Sequence, residues 1–236
     1  MENIQLKVDS FLAKYINDDN VAGIVGHGSY FDKSFRPTSD IDLIVIVYQG
    51  EVRKWHYDYN GLIFEVKIQP LEGLKKMVAN SHLKVTRQFA DSYIVYEKND
   101  ELAPIQKAAQ EKLKQPHPLA LRQGYRTESA RNAYSQRNRL YEIKDDKGMF
   151  EIGCSALLME LAELFLLVKG VWGHRGIRKV KVDIEMVDQS VAQLFENSMA
   201  HNDIESRLEA INTLTNLVID LLDKDLQKNM VLAVSE

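Results

Sequence analysis

The sequence predicts an α+β protein: an N-terminal part, residues 1–115, with a mixed sheet flanked by helices, and an all-helical bundle over 116–236. Three observations predict it. Short apolar runs of strand length, Val21–His27 and Ile41–Val47, lie in the first half. Asn60-Gly61 separates two alternating segments, the strongest short signal for a two-residue hairpin. Beyond Gln115-Pro116-His117-Pro118, where two close prolines forbid helix continuation, the apolar spacing becomes helical throughout.

Taken in order, Ile4, Val8, Phe11, Leu12 and Tyr15 share one face of a helix over 4–16, and Asn17-Asp18-Asp19-Asn20 turns the chain into the first strand. Val52–Tyr59 and Leu62–Gln69 form the hairpin. Leu71–Ala79 follows Pro70 as a short helix, Ser92–Glu97 reads as a strand, and 104–114 is a helix with proline in its first turn. The second half is expected to hold helices over 119–143, 150–168, 184–199 and 204–226, with Lys144-Asp145-Asp146-Lys147-Gly148 as a turn.

The chemistry is concentrated in Gly28-Ser29 and in Ser39-Asp40-Ile41-Asp42. Residues two apart on a strand share a face, so Asp40 and Asp42 stand about 6–7 Å apart while Ile41 and Leu43 enter a core. Two carboxylates on one face repel unless a cation or hydrogen bonds balance them. Mg²⁺ fits, because it prefers oxygen ligands and shares one or two carboxylates with substrate phosphates. Gly28-Ser29, at the end of an apolar strand, offers backbone N–H groups and a hydroxyl to phosphate oxygens, with Ser39 as a further hydroxyl beside the acidic pair. The bland alternative is an Asx-type turn at Asp40 and a solvated Asp42. In the second hairpin strand Phe64, Val66 and Ile68 share one face, which leaves Glu65 and Lys67 on the other. Glu65 is placed to join the aspartates, or else to pair with Lys54 or Lys67 across the hairpin.

The combination of strand, Gly28-Ser29, loop, Ser39-Asp40-Ile41-Asp42 and apolar strand resembles the nucleotidyltransferase superfamily that includes DNA polymerase beta and the antibiotic nucleotidyltransferases. The resemblance implies that Gly28 and Ser29 hold the β- and γ-phosphates of a nucleotide. It also implies that Asp40 and Asp42 hold two metal ions, with Glu65 completing the metal site or taking a proton from the acceptor. The family more often has Asp at that third position.

Composition narrows the partners. The 236 residues are 45% hydrophobic and 27% charged with a net charge of −4, enough for one large or two small cored domains but without the basic field that holds long nucleic acid. Cys154, the only cysteine, lies in an apolar run and is expected to be a buried thiol. Residues 1–7 show no signal-peptide pattern and no stretch has the length to span a bilayer, from which a cytoplasmic protein with no membrane partner is expected.

In the helical half, Cys154–Val168 is apolar on every side except chiefly at Glu160 and Glu163, which lie on one face at i, i+3. Either could take a proton from a substrate hydroxyl, or form a salt bridge with the helix bearing Arg122, Arg126, Arg131, Arg137 and Arg139. Glu163-Leu164-Phe165 and Lys169-Gly170-Val171-Trp172 are similar to a run in the kanamycin (aminoglycoside) nucleotidyltransferase group, where a helical-domain glutamate is the base. Aligned on Glu-Leu-Phe, the family's base falls near Leu166, so Glu163 or Glu160 would act from an earlier turn. Lys169 would reach a phosphate only if the helix ends at Gly170. Trp172–Lys181 reads as a basic loop able to meet a triphosphate or an RNA end.

The resemblance implies Mg²⁺-dependent transfer of a nucleoside monophosphate, AMP from ATP, to a hydroxyl of an aminoglycoside-like small molecule. It assigns acceptor binding and cleft closure to residues 116–236, and a homodimer. The alternatives are transfer to a protein or a tRNA end, and a nucleotide-binding regulatory module without turnover.

Overall fold

The computed structural model describes residues 2–36, 38–173, 179–200 and 203–233. The chain divides into two compact units, Met1–Lys114 and Gln115–Glu236.

The first unit is built on a five-stranded mixed sheet. Helix α1 (Glu2–Ile16) leads into β1 (Val21–His27), followed by β2 (Ile41–Val47), β3 (Arg53–Tyr59) and β4 (Leu62–Pro70). Helices α2 (Leu71–Ala79) and α3 (Leu83–Ala90), strand β5 (Tyr93–Glu97) and helix α4 (Leu102–Leu113) complete it. Strand order is β3-β4-β2-β1-β5; β2 and β4 are parallel and the other neighbours antiparallel. Asn60 and Gly61, at φ 52° and 76°, close the β3–β4 hairpin in the twist that suits right-handed strands.

Alternation along β2 divides two cores. Ile41, Leu43, Val45 and Val47 join Phe64, Val66, Val8, Phe11 and Leu12 under α1, while Ile44 and Ile46 join Leu71, Leu74, Phe89 and Ile105 under α2–α4. Phe11 stacks on Phe64 at 3.9 Å, and each ring contributes about 2–3 kcal/mol by burial. Helix α3 has no counterpart among the expected elements. Only eight residues long, it starts where Ser81 takes φ 56° and the His82 ring accepts the Val85 N–H at 3.4 Å, a cap outside the usual Ser, Thr, Asp or Asn signals.

The second unit holds α5 (Gln123–Ile143), α6 (Lys147–Val168), α7 (Val180–Glu185), α8 (Gln189–Ala200) and α9 (Ile204–Ala233). Its core joins Leu157, Leu161, Phe165, Ile184, Phe195, Ile211, Leu214 and Val218. The expected helix over 119–143 is instead a 3₁₀ turn, Pro118–Leu121, an extended Arg122, and then α5. Lys147 and Gly148, expected in a turn, begin α6 because the Asp146 side chain accepts the Met149 N–H at 3.1 Å. The expected helix over 184–199 is two helices. Asp188 accepts from Ser190 N–H at 3.0 Å and Val191 N–H at 3.2 Å, so it starts α8 rather than sitting inside a longer helix. Trp172, read from sequence as part of a basic loop, is buried. Its indole donates to Gln115 O at 2.7 Å and its ring meets His117 edge-on at 4.5 Å, docking the start of the second unit. Residues 174–178 of that loop lie outside the described residues, and Lys181 is paired with Glu196 and Glu185.

Among the described residues no helix is long and apolar enough to cross a membrane. Cys154 is a buried free thiol, and burial raises its pKa.

Candidate active site

Register builds the site. In the sheet His27 is opposite Asp42, Asp42 opposite Glu65, and Glu65 opposite His56, so four neighbouring strands place these side chains in one row on one face. Asp40, just before β2, completes a cluster with Asp42 and Glu65, whose ligand oxygens lie within 4.8 Å of one another. Burial first, then the charges of Asp40 and Glu65, push the Asp42 carboxyl up to about 7, against a smaller opposing pull from Lys54. An all-oxygen donor set under mutual repulsion fits a hard divalent cation, which would relieve the stress that raises Asp42.

Gly28 stands against this cluster. At φ +76° it occupies a conformation that L side chains rarely adopt, and a Cβ there would meet Asp42 Oδ2 at 2.3 Å. The turn beyond it is tied down by Asp32 N–H donating to Gly28 O at 3.1 Å and Ser34 N–H donating to Ser29 O at 2.9 Å. Phe31 lies over Gly26, leaving no room for a Cβ, and Tyr30 O–H donates to Gln5 of α1 at 2.7 Å. These contacts fix Gly28-Ser29 relative to β2. Within its own loop Ser39 Oγ accepts the Arg36 N–H at 3.3 Å.

Glu65 serves both readings drawn from sequence. It belongs to the acidic cluster, and its Oε2 also meets Lys54 Nζ at 2.7 Å, with His56 Nε2 at 3.7 Å. Lys67, opposite Lys54, is half-buried; burial and then the Lys54 charge lower its pKa.

Sequence reasoning missed His27 and Gln88. Gln88 Nε2 of α3 lies 2.8 Å from His27 Nε2. An amide nitrogen only donates, so His27 Nε2 accepts and the neutral ring carries its proton on Nδ1. Burial lowers the His27 pKa in the same sense. No local pattern announces this pair, which joins residues 61 apart. Lys54 and Lys67 were legible, since the Asn60-Gly61 turn sets Tyr59 against Leu62 and hence Lys54 against Lys67.

In the second unit Glu160 accepts from Gln136, not from an arginine, and Glu163 is exposed on α6. Lys169 is exposed at the helix C-cap, where Gly170 N–H donates to Leu167 O and Val171 N–H to Leu166 O, the double bond pattern that ends a helix at glycine.

An acidic trio beside a glycine turn can hold a divalent cation next to backbone N–H groups that suit a phosphate. The family model described as a nucleotidyltransferase domain matches residues 10–126. Residues 10–126 are a nucleotidyltransferase domain, and the protein is a nucleotidyltransferase enzyme. No curated protein matches in sequence. Among solved structures, a nucleotidyltransferase-like protein from Exiguobacterium sibiricum 255-15 shares 17% identity at a TM-score of 0.52, covering 92% of this chain and 74% of its own, which shows a shared fold. Spectinomycin adenyltransferase AAD(9) from Enterococcus faecialis, solved with ATP and spectinomycin, shares 15% identity at a TM-score of 0.41, covering 94% and 99%, a likeness too low to carry an argument.

Proposed function

We propose that the chain transfers a nucleoside monophosphate, AMP from ATP, to a hydroxyl of a small-molecule acceptor with release of pyrophosphate. The observation that carries the reading is the cluster of Asp40, Asp42 and Glu65 with their ligand oxygens within 4.8 Å, closed on one side by Gly28. Asp40, Asp42 and Glu65 would hold two Mg²⁺ ions, which when bound neutralise charge on the attacking and leaving oxygens. Gly28 N–H and the Ser29 hydroxyl hold the β- and γ-phosphates through hydrogen bonds that the fixed turn has already oriented. The acceptor oxygen forms a bond to the α-phosphorus while the α–β bridging P–O bond breaks. The hydroxyl proton passes to a carboxylate, and pyrophosphate takes the electron pair.

Glu65, in the row beside Asp42 and paired with Lys54, would complete the metal site or, in its place, take the acceptor proton. Glu163 and Glu160 are the bases the family resemblance implies, and Lys169 is its phosphate ligand; Ser39, whose Oγ accepts the Arg36 N–H, would donate its hydroxyl proton to a nucleotide phosphate. An aminoglycoside-like acceptor rests on the resemblance alone.

The test is pyrophosphate release with Mg²⁺ and each nucleoside triphosphate across hydroxyl acceptors of different charge, beside Asp40→Asn and Asp42→Asn. Acceptor-dependent release that disappears in both variants is expected. Equal release in wild type and variants would refute the site, and tight Mg²⁺-dependent nucleotide binding without any release would convert the reading to a binding module.

A further inference from the structure

We propose that Lys54 and Lys67 form an anion-binding subsite beside the acidic cluster, and that the hydroxyl acceptor carries a phosphate or carboxylate group which this subsite holds. The inference rests on the nucleotidyl-transfer reading above and names its acceptor class. Lys54 and Lys67 are directly opposite in the β3–β4 hairpin, and like charges so placed oppose each other. Lys54 relieves part of its charge on Glu65 at 2.7 Å. Among the described residues no hydrogen bond or ion pair reaches the Lys67 ammonium, although the residue is half-buried on the face that carries Asp42 and Glu65. A half-enclosed ammonium facing a second one is costly without a counter-charge, and an anionic group between the two supplies it.

Position assigns that anion to the acceptor. Gly28-Ser29 follows β1, on one side of Asp42, whereas Lys67 and Lys54 lie on β4 and β3, on the other side. In-line transfer sets the attacking and leaving oxygens on opposite sides of the phosphorus. With the departing phosphates on the Gly28-Ser29 side, the acceptor enters from the β4–β3 side and meets the lysines. Two lysines suit one anionic group; a polymer would need a longer basic track, and the net charge of −4 gives no general support for one. A polycationic acceptor would meet repulsion here.

The experiment titrates inorganic phosphate, and in a second arm acetate, into the full chain saturated with Mg²⁺ and α,β-methylene-ATP, followed by calorimetry and by the Lys side-chain NMR signals. Wild type, Lys67→Gln and Lys67→Arg are compared, with a melting curve for each. The expected result is saturable anion binding alongside the nucleotide, weakened about tenfold in Lys67→Gln and recovered in Lys67→Arg. Tighter phosphate binding identifies a phosphorylated acceptor, and tighter acetate binding a carboxylated one. Normal nucleotide binding with no saturable anion site, or with anion affinity the same in all three proteins, overturns the subsite while leaving nucleotidyl transfer standing. Failure of the Mg²⁺-nucleotide analogue to bind wild type overturns the underlying reading and this inference with it.

Discussion

A Cβ on Gly28 would stand 2.3 Å from Asp42 Oδ2, so the positive-φ glycine after β1 and the Asp42 carboxylate are fitted to each other. The backbone at 28 also takes φ +76°, which costs an L side chain about 1–2 kcal/mol. Gly28→Ala is therefore expected to push Asp42 out of line and lower kcat/KM by about a hundredfold, with the fold retained by circular dichroism. Activity within threefold of wild type would show that the turn and the cluster are independent.

Metal binding should depend on pH through Asp42. Its carboxyl, pushed up to about 7 by burial and by Asp40 and Glu65, must lose a proton before it can ligate. Between pH 8 and pH 6 the ionised fraction falls about tenfold, and Mg²⁺ affinity is expected to fall with it. Calorimetric titration at the two pH values checks this; a constant affinity would remove Asp42 from the ligand set.

The same shift has a stability consequence of definite sign. Asp42 titrates higher folded than at its ordinary 3.8, so its contribution favours the metal-free fold fully below that value and is lost as pH rises through about 7. Asp42→Asn removes the repulsion. It is expected to stabilise the metal-free protein at pH 8 by about 1 kcal/mol while abolishing turnover. Chemical denaturation at pH 5 and pH 8 reads both proteins; a variant less stable than wild type at pH 8 would contradict the repulsion argument.

Gln88 donates to His27 at 2.8 Å and ties α3 to the strand end that carries Gly28. Gln88→Leu leaves the half-buried His27 Nε2 without its donor, at a cost of about 1 kcal/mol. A double-mutant cycle with His27→Leu should return a coupling energy of at least about 0.5 kcal/mol, and additive effects would mean the two side chains do not act as a pair.

Much of the first unit was legible because its signals are local. Alternation in Ile41–Val47 and Phe64–Ile68 assigned their faces, and Asn60-Gly61 set the hairpin register that opposes Lys54 to Lys67 and His56 to Glu65. Where the signals compete, local reading failed. Asp188 caps a helix inside a pattern that reads as one continuous helix, and α3 starts on a histidine cap.

By itself the sequence pointed to the residues proposed for the chemistry: Gly28-Ser29, Asp40 and Asp42, with Glu65 two strands later on a face set by the twofold strand period. It could not determine that these residues meet. The pairing of β2 with β4 is parallel, so the hairpin cannot dictate it, and only packing of Ile41 and Leu43 with Phe64 and Val66 under α1 selects the register that puts Asp42 beside Glu65. The antiparallel match of His27 with Asp42 across a long loop, the closeness of Gly28 to that carboxylate, and the reach of Gln88 to His27 were likewise decided by tertiary structure. Side-chain periodicity is local, whereas the burial that chooses among registers belongs to the assembled core.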